Sequence, residues 1–319
     1  MTGAWGGLAI CAVLLAPAAA ADERFEIYGR IDLSLQDTSE AGEDEVELQN
    51  NASRIGVRGE LPLKSGLKAI YQLEFGVDFD DETDGTFTDR NQFVGLQGAF
   101  GTVRLGRHDT ALKQSQGRFD LFDDLEGDIG KVFNGEIRLN DYIAYVTPTF
   151  AGAFNATVNF FPGEDPEEGN DAVADAASAS IVYDKDSVYA AVAYDRDDEG
   201  EDIDTARVVG GYSIGPARFM LMYQRTEASA ADEDGFGASL AWEFGDTTAK
   251  LQYLTADIWR LTPQVDPLNN RLENSLSVGV DHRFGKDTKL FGFYSTGDIG
   301  ETSEKNEYLA IGIQHNFSF

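Results

Sequence analysis

Apolar and polar residues alternate one by one along most of this chain from about residue 24 onward. In the first such run the apolar side holds Phe25, Ile27, Gly29, Ile31, Leu33 and Leu35, and the other side holds Glu26, Tyr28, Arg30, Asp32 and Ser34. Strict alternation places successive side chains on opposite faces of an extended strand. The pattern therefore predicts strands with one apolar face and one polar face.

The alternation recurs often enough to predict sixteen strands. We expect them near 24–36, 51–61, 67–78, 89–99, 102–107, 138–147, 152–161, 177–183, 187–195, 204–214, 216–226, 236–244, 248–256, 273–284, 288–296 and 306–319. A tilted strand needs about 9–11 residues to cross the hydrocarbon layer of a membrane, and most of these runs are that long.

The connections between the predicted strands are alternately short and long. Short turns include Phe100-Gly101, Gly215-Pro216 and Gly245-Asp246-Thr247. The long connections lie at 37–50, 79–88, 108–137, 162–176, 196–203, 227–235, 257–272 and 297–305, and they are rich in acidic residues. Short turns at one end and long polar loops at the other are typical of a membrane-spanning barrel, which closes because a lipid-exposed sheet edge would leave backbone groups unpaired. The predicted fold class is all-β: a transmembrane antiparallel 16-stranded β-barrel.

The last predicted strand runs to the final residue of the sequence. One face holds Leu309, Ile311, Ile313, His315, Phe317 and Phe319, and the other holds Tyr308, Ala310, Gly312, Gln314, Asn316 and Ser318. The ends of soluble domains tend to fray, so a strand that ends on an aromatic residue favours an outer-membrane barrel.

The N-terminal segment and the overall charge narrow the possibilities further. Residues 1–21 carry no charge and contain a short apolar stretch followed by small residues, which predicts a secretory signal peptide over 1–21 and a barrel over 22–319. The segment has no Lys or Arg before its apolar stretch, which is unusual for such a signal. It contains Cys11, the only cysteine, so the barrel is expected to have no disulfide. A net charge of −31 argues against binding to nucleic acid.

Several segments resemble the early strands of Gram-negative general porins. They are Asn51–Glu60, Gly66–Glu74, Arg90–Leu96, Phe100–Arg107 and Arg138–Tyr145, the last followed by Thr147-Pro148. The resemblance implies a homotrimer in the outer membrane, in contact with lipid and lipopolysaccharide, with loop 108–137 folded into the lumen as a constriction and loop 79–88 reaching a neighbouring subunit. It also implies that Phe319 is a C-terminal signal for the outer-membrane barrel assembly machinery.

The polar faces of the early strands carry six arginines, which a sealed core would not tolerate but a water-filled lumen would. We predict that they form a basic wall at the pore constriction: Arg30, Arg54, Arg58, Arg90, Arg104 and Arg138. Of these, Arg30, Arg54, Arg90 and Arg138 match the family's basic cluster by position. Loop 108–137 carries the predicted opposing acids, Asp120, Asp123, Asp124, Glu126 and Asp128. Facing charges of this kind tune which ions pass, although the same acids could simply be solvated loop residues.

The leading functional prediction is a water-filled channel for passive diffusion of small hydrophilic solutes and ions. The excess of acidic residues suggests a preference for cations. One alternative is a substrate-selective channel for sugars or anions, and a sugar channel should carry a line of aromatic residues along its lumen. Another is an outer-membrane hydrolase, although no Ser-His-Asp spacing indicates one. No cofactor or catalytic residue is predicted. No metal site is predicted either, because the calcium-loop-like run from Asp195 has Ala206 at its twelfth position.

Overall fold

The computed structural model describes residues 24–40, 42–79, 86–162, 176–197, 203–228, 232–257, 272–299 and 305–319. The predicted signal peptide, residues 1–21, lies outside the described residues, as does most of the 79–88 loop. No helix among the described residues is both long enough and apolar enough to cross a membrane.

The described chain forms one antiparallel sheet of seventeen strand segments. Their bounds are β1 Arg24–Glu40, β2 Glu43–Asn50, β3 Arg54–Pro62, β4 Lys68–Val77, β5 Phe87–Gly98, β6 Gly101–Asp109, β7 Arg138–Val146, β8 Phe154–Phe161, β9 Ala176–Lys185, β10 Val188–Arg196, β11 Asp204–Ile214, β12 Ala217–Glu227, β13 Asp232–Phe244, β14 Thr247–Ala256, β15 Asn274–Arg283, β16 Thr288–Asp298 and β17 Lys305–Ser318. Each segment from β3 onward pairs with the next one along the chain.

Strands β2 and β3 are two halves of one barrel strand. β1 pairs with β3 along its first half and with β2 along its second half. The break between them contains Ala52, whose φ of 53° lies in the left-handed region. The barrel therefore has sixteen strands, as predicted. It closes where β1 pairs with β17 from Tyr28 opposite Ser318 to Ser39 opposite Glu307.

The prediction of a loop at 37–50 is wrong. β1 continues to Glu40, and β2 starts at Glu43 and pairs with it, from Glu40 opposite Glu43 to Leu33 opposite Asn50, as a hairpin. Acidic residues are poor strand formers in general, but each strand here continues a backbone hydrogen-bond ladder that begins in the barrel wall. The hairpin therefore continues the first two barrel strands past residue 36, where the first strand was predicted to end.

The predicted alternation sorts the side chains into outer and inner faces. On β17, Leu309 and Ile311 are 58% and 66% exposed, whereas Tyr308 and Ala310 between them are 3% and 5% exposed. The apolar residues thus face outward and the polar or small ones face inward. At one end of the barrel the turns are short. Gly215-Pro216 and Gly245-Asp246 each join two strands directly, and both glycines have the positive φ that such tight turns require. We call this end the short-turn end.

The longest described connection, 110–137, folds into the barrel interior. It begins with a short helix α1, Ala111–Ser115, whose first turn is capped by the Thr110 hydroxyl accepting a hydrogen bond from the Lys113 N–H at 3.1 Å. It later forms a 3₁₀ turn, Ile129–Lys131. Apolar residues of this loop pack on the inner faces of β10 to β14 and of β16 and β17, so the hydrophobic core lies between the loop and one side of the barrel wall.

Candidate pore constriction

Three phenylalanines of the inner loop are seated on glycines of the wall. Phe119, Phe122 and Phe133 lie over Gly237, Gly279 and Gly235, respectively. A Cβ atom on these glycines would lie 2.5, 2.9 and 2.3 Å from the corresponding ring, closer than atoms can approach. The glycines therefore leave open the sockets that the rings fill. All three phenylalanines are almost completely buried, so their packing holds the loop against the wall.

A buried polar cluster holds the returning limb of the loop. Arg207 on β11 is fully buried and donates to Glu136 Oε1 at 2.6 Å, to the Asn134 carbonyl at 3.1 Å and to Gln224 Oε1 at 2.8 and 2.7 Å. Asn134 in turn donates to the Thr205 hydroxyl at 2.8 Å. Because each of these groups has partners, the cluster can be buried without a large penalty. Arg207 is not one of the arginines predicted to line the pore, although the alternation of Thr205, Arg207 and Val209 with Ala206 and Val208 places it on the inner face.

Two of the predicted constriction acids hold the loop's own fold. Asp120 accepts hydrogen bonds from the backbone N–H groups of Phe122 at 2.8 Å and Ile129 at 3.0 Å. Asp128 accepts from the N–H groups of Asp124 at 2.9 Å and Gly130 at 2.6 Å, and it caps the 3₁₀ turn. Burial raises the pKa of Asp120 well above its usual value and that of Asp128 to about 6.

Asp124 is the acid that reaches the basic wall. Its Oδ2 atom lies 3.4 Å from Arg30 Nη1 and is also hydrogen-bonded by Arg54 Nη2. Asp123 beside it is exposed in the lumen, where desolvation and the charge of Asp124 raise its pKa to about 6. The fifth predicted acid, Glu126, pairs with Lys131 of the same loop at 2.5 Å.

Two more arginines of the predicted wall are held by carboxylates of neighbouring strands. Arg90 Nε donates to Glu74 Oε1 at 2.9 Å, and Arg138 Nη2 lies 2.9 Å from Asp109 Oδ1. A bulge in β5 places Arg90 and Asn91 together opposite Glu74, and Asn91 accepts a hydrogen bond from Arg138 at 2.6 Å. Arg30, Arg54, Arg90 and Arg138 thus form one arc, which we call the arginine arc.

Arg58 and Arg104 lie outside this arc. Arg58 pairs with Glu26 at 2.7 Å and lies over the Tyr28 ring at 4.7 Å. It is four residues nearer the short-turn end than Arg54, which corresponds to about 13 Å along a strand. Arg104 lies over the Phe93 ring at 5.0 Å. Both side chains are on the inner face, as the alternation predicted, but neither contacts the inner loop's acids.

The whole-chain comparisons agree with this architecture. A family model described as Gram-negative porin matches residues 7–302. The chain belongs to the Gram-negative porin family. The porin is 26% identical over 284 residues to the major outer membrane protein P.IB of Neisseria meningitidis serogroup A, with 83% of each chain covered. It is 28% identical over 263 residues to a protein named monosaccharide porin from a Halomonas species, with 72% of each covered.

Solved structures share the fold. The anion-selective porin from Comamonas acidovorans superposes with a TM-score of 0.74 at 22% identity, covering 93% of this chain and 100% of that one. The Salmonella typhi OmpF structure gives a TM-score of 0.70 at 15% identity, with 92% and 97% covered. The porin is therefore an outer-membrane protein that forms a channel for small solutes, and its family and fold indicate a channel rather than an enzyme.

Proposed function

We propose that this porin is a passive diffusion pore for small hydrophilic solutes and ions, with its constriction between the arginine arc and the inner loop. The observation that carries the proposal is the position of Asp123 and Asp124, held beside Arg30 and Arg54 by a loop that is packed against the opposite wall. One pair of opposite charges about 10 Å apart contributes roughly 0.4 kcal/mol in water, so several pairs are needed for a strong transverse field.

We further propose a preference for cations, to which acids at the outer mouth contribute together with the acids of the inner loop. The β1–β2 hairpin region, 37–50, contains no Lys or Arg and carries Asp37, Glu40, Glu43, Asp44, Glu45 and Glu47. At physiological salt, charges act over a Debye length of about 8 Å, so acids at the mouth enrich cations there. The Comamonas structure is described as an anion-selective porin, but at 22% identity it is a guide to the fold and not to the charges of this chain.

The reversal potential in a KCl gradient across a planar bilayer tests this preference. We expect a sign that reports potassium over chloride, and a smaller potential for the hairpin variant E43Q/D44N/E45Q. As a control, D186N/D246N removes two exposed acids from turns at the short-turn end and should change the potential less for each charge removed. Chloride selectivity in the unmodified porin would reject the proposal.

A sugar-selective channel is the alternative that one relative's name suggests. Rings do stack on the inner face: His108 lies 5.4 Å from Phe93 and 5.3 Å from Tyr142, and Tyr142 lies 6.0 Å from Phe161. However, Tyr142 is fully buried and Phe161 nearly so, so these rings do not offer an open surface to a sugar. Liposome swelling with monosaccharides of equal size separates the two functions, because a passive pore admits them at equal rates.

We also propose a homotrimer in contact with lipid and lipopolysaccharide, assembled by the outer-membrane barrel machinery. A structure of trimeric OmpT from Vibrio cholerae is among the porins that share this fold. Phe319 is 84% exposed at the end of the closing strand, where a signal for assembly would be accessible. Light scattering of the detergent-solubilised porin tests the trimer, and the rate of barrel assembly in Phe319→Ala tests the signal.

A further inference from the structure

A polar cavity lies between the inner loop and the short-turn end of the barrel. Its volume is about 430 Å³. Asp120 and Leu121 of the inner loop form its roof, and its walls are the inner faces of β12 to β17. The β15–β16 turn, with Lys286 and Asp287, borders it at the short-turn end. The cavity therefore lies on the short-turn side of the inner loop, at the end of the barrel opposite the acidic hairpin. It adjoins the arginine arc at Asn316, which lines the cavity and accepts a hydrogen bond from Arg30 at 3.2 Å.

Five cationic side chains line this cavity: Arg218, Lys250, Arg283, Lys286 and Lys289. Lys250 and Lys289 share one carboxylate, that of Asp281, with Nζ to oxygen distances of 2.8 and 3.2 Å. Within the described part of the chain, the guanidinium groups of Arg218 and Arg283 make neither an ion pair nor a hydrogen bond. The guanidinium groups of both arginines therefore have free N–H donors in the cavity. They share it with Lys250 and Lys289, whose two positive charges are balanced by a single carboxylate.

The carboxylates of the same cavity do not cancel this charge. Asp281 is engaged by the two lysines, Asp287 lies 3.7 Å from Lys286, and Asp120 accepts hydrogen bonds from the loop. Both oxygens of Asp120 are engaged in this way, because Oδ1 also accepts a hydrogen bond from Gln252 Nε2 at 3.1 Å. Only the exposed Glu243 remains to balance both free guanidinium groups.

We propose that this cavity is a binding subsite for an oxyanion group, carboxylate or phosphate, on small solutes in the vestibule below the constriction. A guanidinium group offers paired N–H donors that match the two oxygens of a carboxylate or phosphate. The volume leaves room for a small solute around that group. The inference rests on the proposed function only in that solutes must reach the vestibule. It adds that oxyanions are held there, at the end of the channel opposite the acidic mouth.

The test removes the two free guanidinium groups and measures binding of inorganic phosphate. Arg218→Gln with Arg283→Gln breaks no ion pair, so the barrel should fold normally. The matched control, Lys64→Gln with Lys185→Gln, removes two exposed positive charges from turns at the same end but outside the cavity. In ³¹P NMR of the detergent-solubilised porin, we expect the phosphate line to broaden with the unmodified porin and the control. The double arginine variant should bind phosphate at least tenfold more weakly, a change of about 1.4 kcal/mol or more, since it loses the charge-assisted hydrogen bonds of both guanidinium groups.

Equal phosphate binding by the arginine variant and the unmodified porin would overturn the subsite, as would no binding by either or an equal loss in the control. Displacement of phosphate by succinate at a lower concentration would identify the preferred group as carboxylate, and the reverse order would identify phosphate. The NMR measurement does not depend on conductance or ion selectivity. If the porin binds phosphate but selects chloride in the bilayer, the proposed cation preference is wrong and the proposed subsite is still supported.

Discussion

The socket formed by Gly237 offers a direct test of how the inner loop is held. In Gly237→Ala, the new Cβ would lie 2.5 Å from Cζ of Phe119, 3.2 Å from its Cε1 and 3.3 Å from Cδ2 of Leu254. An ordinary contact needs about 3.5–4.0 Å, so the ring has to move by about 1 Å or leave the socket. The ring is fully buried, so its movement displaces the side chains packed around it or the loop that carries it.

Overpacking of this size costs about 1–3 kcal/mol. If that cost falls on the docked loop alone, the population with a displaced loop rises about 5- to 150-fold. We expect more frequent closures and greater current noise in single-channel recordings of Gly237→Ala. We also expect a lower temperature for loss of the folded form on detergent gels.

Two controls make the result specific. Gly210→Ala adds the same methyl group to the same sheet at a position with no atom within 4 Å, and it should behave as the unmodified porin. In a Phe119→Ala background the ring is gone, so adding Gly237→Ala should cost little more, and the cycle should be strongly non-additive. If Gly237→Ala matches Gly210→Ala in current noise and thermal stability, the socket does not position the loop.

Three further outcomes are expected. Asp124→Asn removes the loop carboxylate that balances two arginines, so the reversal potential in a KCl gradient should shift toward chloride; an unchanged potential would place the selective charges elsewhere. Asp123 and Asp128, with pKa values raised to about 6, gain protons as pH falls from 7 to 5. Cation preference should therefore decrease over that range, and the docked loop should become more stable, because a raised native pKa favours the protonated folded state at low pH; Asp123→Asn should flatten the selectivity profile. Arg207→Met leaves Glu136 buried without its ion pair, at a cost of about 3–5 kcal/mol that thermal denaturation would detect, and a second change, Glu136→Leu, should recover part of it.

Local alternation predicted the barrel well because each strand has to satisfy two solvents at once. Lipid and water lie on opposite faces of a single layer, so each outward position is apolar and the pattern survives in short windows of sequence. The same alternation correctly predicted that Arg30 and Arg54 lie on the inner face. The hairpin of β1 and β2 was missed because outside the membrane the apolar face disappears, and Glu43 to Glu47 then resemble a loop.

The interior of the constriction could not be predicted in the same way. Whether Asp124 or Asp120 meets the arginines depends on the path of the loop, which is set by contacts between residues more than a hundred positions apart, such as Phe119 with Gly237. Asp120 and Asp128 look like Asp124 in the sequence, but their carboxylates bond to backbone N–H groups of the loop. A glycine that leaves room for an aromatic ring cannot be recognised in the sequence, since a glycine at position 237 is equally consistent with a turn or a bulge.

The contact between the first and last strands has a consequence for how the chain reaches its native state. Arg30 and Asn316 bond across the closing seam although they are 286 residues apart. Bringing together two points of a flexible chain separated by that length costs about 5 kcal/mol in loop-closure entropy. The seam cannot begin to form before the last residues have been synthesised. Until then one edge of each of β1 and β17 is unpaired, so the barrel closes only after the whole chain is present.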